Sequence, residues 1–85
     1  MADFDWNAYG MITSSNYRRR VVVALAEGPK SPKELAISTS VHKNHVSSTL
    51  KDLENLNVVV CLTPGLRKGK LFQLTDLGRE IVRKI

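Results

Sequence analysis

From Tyr17 to Leu56 the apolar residues recur mostly at three- and four-residue intervals. Between Val58 and Leu74 they crowd into two short runs, and from Leu77 to Ile85 the helical interval returns. The first spacing lines one face of a helix, whereas short β-branched runs bounded by turn residues mark strands. Punctuation along the chain sets the boundaries. "TSSN" (13–16) offers N-cap residues, and Tyr17, Val21, Ala24 and Leu25 then lead to the stop Gly28-Pro29, predicting a helix from about Ser15 to Glu27. "SPKE" (31–34) supplies Ser31 as cap, Pro32 at the first helical position and Glu34 to complete a capping box, so a short helix runs through Leu35, Ala36 and Ile37. It ends in "STS" (38–40), whose hydroxyls compete with the helix for backbone hydrogen bonds. Val41 anchors a tight turn. Val46, Leu50, Leu53 and Leu56 predict a third helix over 42–56, ended by Asn57, a residue that tolerates a left-handed conformation. "VVVCLT" and "LFQLT" read as strands joined by "PGLRKGK", and Thr75 caps a last helix with Leu77, Ile81, Val82 and Ile85 apolar.

The expected order is helix, helix, helix, strand, strand, helix, an α+β class that is mainly α. Its core is assigned to Val21, Ala24, Leu25, Leu35, Ala36, Val41, Val46, Leu50, Leu53, Leu56 and the alternating Val58, Val60, Phe72 and Leu74. In residues 1–12 Gly10 interrupts any clean helical period, and Phe4, Trp6 and Tyr9 are read either as a cap on the core or as a subunit contact.

The third helix raises a chemical question. Opposite its apolar stripe stand Lys43, Asn44, His45, Ser47, Ser48 and Lys51. Solvated helix faces are commonly Glu- and Lys-rich, because those residues hydrate easily and form helices well; Asn, His and Ser do so less readily. Their concentration fits a surface that reads donors and acceptors on a partner.

Charge narrows the partner. The chain carries a net charge of +5, which favours nucleic acid first and an anionic membrane surface second. Eighty-five residues bury roughly 60 to 65% of their unfolded surface, too little to enclose a large active site. The longest apolar run, Val21–Ala26, is too short to cross a bilayer, and no secretory leader opens the chain, so a cytoplasmic protein is expected. One cysteine, Cys61, rules out an intrachain disulfide and is expected as a buried strand thiol. His42 and His45 lack the further ligands a zinc site requires, and no nucleophile–base–acid set or phosphate-cradling loop is visible. The expectation is therefore no enzyme activity, no metal and no cofactor.

The stretch "SPKELAISTSVHKNHVSSTLKDLENLNVV", together with "LFQLTDLGREI" and "SSNYRRRVVVALAEGP", resembles the winged helix-turn-helix transcriptional regulators of bacteria and archaea, the arsenic-repressor-like and multiple-antibiotic-resistance-like proteins. The resemblance covers residues 13–85, with 1–12 as an N-terminal segment and possible dimer contact. It implies a three-helix core with a two-stranded wing, helix 42–56 in the DNA major groove, and Lys43, Asn44, His45, Ser47 and Ser48 at the base-reading positions. His42 stands where the family usually carries a Ser or Asp cap.

The residue chemistry fits that implication. Asn pairs bidentately with adenine, Lys donates to guanine, and Ser serves either role. In the wing, 63–70, Arg67, Lys68 and Lys70 are suited to clamp phosphates, or to place Arg67 in the minor groove; the bland alternative is a soluble hairpin tip with edge-protecting lysines. Arg18, Arg19 and Arg20 fan around their helix, and one of them, taken as Arg19, is expected to approach the DNA backbone; Lys33 and Lys51 are further candidates. The expected function is sequence-specific double-stranded DNA binding by a transcriptional repressor. A homodimer is expected through Trp6, Tyr9, Leu77, Ile81, Val82 and Ile85, because one small module reads few base pairs. The alternatives are a protein-interaction module and a DNA-binding subunit of replication or repair machinery without sequence preference.

Overall fold

The computed structural model describes residues 4–85, and within them five helices and one hairpin follow in order: α1 (Trp6–Thr13), α2 (Asn16–Leu25), α3 (Pro32–Thr39), α4 (Lys43–Asn55), β1 (Val59–Cys61), β2 (Phe72–Leu74) and α5 (Asp76–Lys84). Residues 1–3 of the expected N-terminal segment lie outside the described residues.

Each helix begins where a side chain satisfies one of its free amides. Asp5 accepts from Ala8 N–H, Ser15 from Arg18, Ser31 from Glu34 and Thr75 from Gly78. The capping box at α3 is complete: Glu34 Oε1 in turn accepts the Ser31 amide at 3.0 Å. Hydrogen bonding to the Glu34 carboxyl, from the Ser31 backbone first and the Ser31 side chain second, holds it below its ordinary pKa. His42 fills the cap position of α4 after all, its Nδ1 accepting from Asn44 N–H at 3.1 Å. Asn57 adopts the left-handed region expected of it, with φ of 60°, and Ser40 does so too, with φ of 58°, although serine has no preference for it.

Helix α2 is the hub. It packs against α1, α3, α4, β2 and α5, burying Val21, Val22 and Leu25. Around it gather Leu35 of α3, Val41 of the turn, Val46, Leu50 and Leu53 of α4, and Ile81 of α5. The strands pair antiparallel with Val59 opposite Leu74 and Cys61 opposite Phe72. Lys30 adds an isolated bridge to the free edge of β2, exchanging two backbone bonds with Phe72 at 3.0 and 2.9 Å. Strand β2 is therefore flanked on both edges at Phe72, where the loop between the strands ends.

Five expectations need correction. Residues 6–13 form a helix despite Gly10, and its Ala8 and Ile12 are fully buried in the common core. Val60 is 42% exposed while Val59 is buried: Val58 belongs to the turn after Asn57, and alternation starts one residue later than the valine run suggests. Ile81, assigned to a dimer face, is fully buried in the chain's own core and so is closed to a partner. Cys61 is a free, half-buried thiol rather than a fully buried one. Ala24, Ala36 and Leu56 are only partly buried at the margin of the core.

Candidate nucleic-acid interface

Helix α4 buries Val46, Thr49, Leu50 and Leu53, and these fix its inward side. At about 100° per residue the side facing directly away carries Asn44, Ser48, Lys51 and Asn55, all exposed. One flank, with Lys43, Ser47 and Glu54, faces the hairpin loop across a groove. The other flank faces α2, where His45 stacks on Tyr17 with ring centroids 4.9 Å apart and planes at 24°. On this side Arg18 Nη2 donates to Asp52 Oδ2 at 3.2 Å, tying α2 to α4. The sequence-assigned reading set thus divides. Asn44 points outward, Lys43, Ser47 and Ser48 line the groove that faces the loop, and His45 lies against α2.

The groove between the start of α3, α4 and the loop measures about 930 Å³. Its lining includes Lys33, Lys43, Lys51, Arg67, Lys68 and Lys70, against one carboxylate, Glu54. Set beside the whole sequence, this distribution is lopsided. Of 13 Lys and Arg and 8 Asp and Glu, the groove takes six cations and one acid, leaving seven of each for the rest of the chain. The entire +5 excess is therefore gathered in one concavity.

The three consecutive arginines have separate fates. Arg18 is engaged by Asp52 and by the Met11 carbonyl at 3.0 Å. Arg19 donates to the Thr13 carbonyl at 2.8 Å and Arg20 to that of Thr39 at 3.5 Å. Arg19 and Arg20 line a shallow depression between α2 and α3 rather than the basic groove. Tyr17, Glu54 and Asn55 escaped the sequence reading. Asn55 had a signal, since it falls on the same face as Asn44 and Ser48; the partnership of Tyr17 with His45 depends on packing and had none. Among the described residues, no group of three or more His, Cys, Asp or Glu is placed to hold a metal ion, and no helix is long and apolar enough to cross a membrane.

Outside the groove, Phe4, Trp6 and Tyr9 stack edge to face, with centroids 4.7 to 6.0 Å apart. Lys84 Nζ sits 4.9 Å from the Phe4 ring centroid, and Tyr9 Oη donates to the Lys84 carbonyl at 3.2 Å. Trp6 remains 62% and Ile85 45% exposed. Tyr9, Leu77 and Val82 are half-buried against the core.

No family model and no curated protein matches the chain. Solved structures do. The homodimeric winged helix-turn-helix DNA-binding domain Mb0332 of Mycobacterium bovis, described as a possible ArsR-family transcriptional regulator, superposes with a TM-score of 0.73 at 18% identity, covering 93% of this chain and 73% of that one. The fold is a winged helix. Two further structures share it: TubR of Bacillus thuringiensis serovar israelensis, bound to 24 bp of tubC, at TM-score 0.78 and 18% identity over 99% of this chain and 92% of its own, and RV1404 of Mycobacterium tuberculosis at TM-score 0.76 and 23% identity over 92% of this chain. The present chain spans 56% of the RV1404 structure. In winged-helix terms α3 and α4 are the helix-turn-helix, the loop between β1 and β2 is the wing, and the basic groove is the space between wing and second helix.

Proposed function

We propose that this winged helix binds double-stranded DNA through the basic groove and regulates transcription as a homodimeric, sequence-specific repressor. The observation that carries the reading is the collection of the whole net positive charge between α4 and the wing. A concave surface with six cations matches a phosphate backbone, and the uncharged hydrogen-bonding face beside it matches base edges. In this arrangement Asn44 and Ser48 enter the major groove, with Asn44 suited to adenine and Lys43 to guanine. Ser47 and His45 flank them, His45 held in place by Tyr17. Arg67 and Lys68 grip the backbone or minor groove from the wing, and Lys33, Lys51 and Lys70 line the phosphate track. Arg19 is left for a more distant phosphate. The DNA-bound state of TubR and the homodimeric state of Mb0332 support the duplex partner and the dimer for this fold.

Dimerisation is assigned to Trp6, Ile85 and the accessible parts of Tyr9 and Leu77, while Val82, read from the sequence as a dimer contact, lines a pocket between α5 and the end of α2. Two copies then reach half-sites roughly 34 Å apart, one turn of duplex.

The test is selection of bound sequences from a random duplex pool, with affinities measured at several salt concentrations. A palindromic motif is expected, with a log–log salt slope of about −9 for the dimer if the five groove cations other than Lys43 meet phosphates in each protomer. Asn44→Ala should weaken the selected site by about 1 to 3 kcal/mol and leave random DNA unaffected, whereas Lys68→Ala should weaken both. Salt-sensitive binding without a motif would reassign the protein to sequence-independent duplex binding. No binding at all would overturn the reading and direct attention to the exposed Trp6 end.

A further inference from the structure

A second concavity lies on the other side of α2. Helix α2 stops at Leu25, Gly28 takes a φ of 142°, and the chain then crosses to the Lys30–Phe72 bridge. Between residues 26–29, β2 and α5 a gap is left. Helix α5 is turned so that Gly78 and Ile81 meet the core, which directs Arg79, Val82 and Arg83 toward the gap. The resulting pocket holds about 290 Å³. Leu25, Ala26, Pro29, Leu74 and Val82 supply its apolar wall, Gln73 an amide, and Arg79 and Arg83 its cationic rim.

The chemistry of the lining selects a ligand. The two guanidiniums are one helical turn apart and share one mouth, so they can take the two oxygens of a single carboxylate. Among the described residues Arg79 pairs with the exposed Asp76 at 3.1 Å and Arg83 with no acid; no acid lines the pocket itself. The wall is aliphatic throughout, with no ring face for an aromatic body to stack on. Its volume falls at the small end of the roughly 300–1,000 Å³ usual for small-molecule sites. We propose that this pocket binds a short aliphatic carboxylate, its chain against Leu25, Leu74 and Val82 and its head between Arg79 and Arg83. Since Gln73 and Leu74 belong to β2, which carries one leg of the wing, an occupant also touches the strand from which the DNA-binding loop springs.

The site is separate from the basic groove, so its test needs no DNA. Hexanoate titrated into the isotope-labelled chain should give saturable amide shifts centred on Ala26, Gln73, Leu74, Val82 and Arg83. Uncharged hexanamide should bind about tenfold more weakly or worse, having lost the charge-assisted bonds. The double variant R79Q/R83Q should lose hexanoate binding while keeping the wild-type spectrum elsewhere. Equal affinity for hexanamide, shifts confined to the groove lysines, or no saturable shift would each overturn the proposal. The hexanamide comparison is made on the unaltered protein, so it decides the matter even where the double variant does not fold.

Discussion

Replacing Gly78 with alanine tests the packing of α5 on the hairpin most sharply, because two local rules predict opposite signs. Gly78 lies inside a helix, where alanine is intrinsically better by about 1 kcal/mol. Yet Gly78 is buried, and a Cβ built on it would fall against the Val58 carbonyl oxygen and lie 3.0 and 3.1 Å from Leu74 Cδ2 and Cβ. The Leu74 side chain can shift, but the Val58 oxygen is backbone and is held by the Thr75 amide at 2.9 Å. Relief therefore requires moving α5 bodily from β1 and β2, an overpacking penalty at or above the upper end of the usual 1–3 kcal/mol. Subtracting the helix-propensity gain leaves a net loss of about 2 kcal/mol. For a domain of this size that lowers Tm by roughly 8–16 °C, with a matching fall in the urea midpoint. A Gly78→Ala protein as stable as wild type, or more so, would refute the close approach of α5 to the hairpin.

Three further outcomes follow from the caps and the α2–α4 tie. His42→Asp places a carboxylate at the N-terminus of α4 and should raise stability by about 0.5–1 kcal/mol in urea unfolding; a lowered midpoint would contradict the cap. Glu34 has a folded-state pKa below its ordinary 4.5, so its stabilising contribution is complete above that value and is lost as pH falls through the lowered one. Wild type should accordingly exceed Glu34→Gln in stability at neutral pH, the two converging in acid, and a gap that persists there would mean the charge is not responsible. The Arg18–Asp52 pair has its acid 48% exposed, so a double-mutant cycle with Arg18→Met and Asp52→Asn should return a coupling of only about 0.2–1 kcal/mol.

Much of this architecture was legible because its signals are local. Ser31 and Glu34 are three residues apart, Thr75 stands just before its helix, and Asn57 carries its own conformational preference; no distant contact decides them. The polar face of α4 was legible for the same reason. What escaped depends on packing. Gly10 and the aromatic Trp6 and Tyr9 give α1 a weak helical signal, and burial of Ala8 and Ile12 against the core makes the segment a helix. Three consecutive valines carry no phase, so Val59 and Val60 were exchanged. The stripe on α5 is real, but periodicity cannot distinguish the chain's own core from a partner's surface, and Ile81 belongs to the former. Tyr17 and His45 are far apart in sequence, and the confinement of the net charge to one groove becomes visible only once α3, α4 and the wing are folded together.

The central position of α2 bears on how the chain reaches this state. Five elements rest on it, and its contacts with α1 and α3 close short loops, whereas the hairpin and α5 must be recruited from further along the chain. Loop closure favours near contacts first, so a nucleus of α2 with its helical neighbours should precede the wing. Val22→Ala should then mainly slow refolding, while Phe72→Leu, at the base of the wing, should mainly speed unfolding. The loop that carries Arg67 and Lys68 would be the last part to settle and the first to open, leaving it free to adjust to a duplex while the scaffold beneath stays intact.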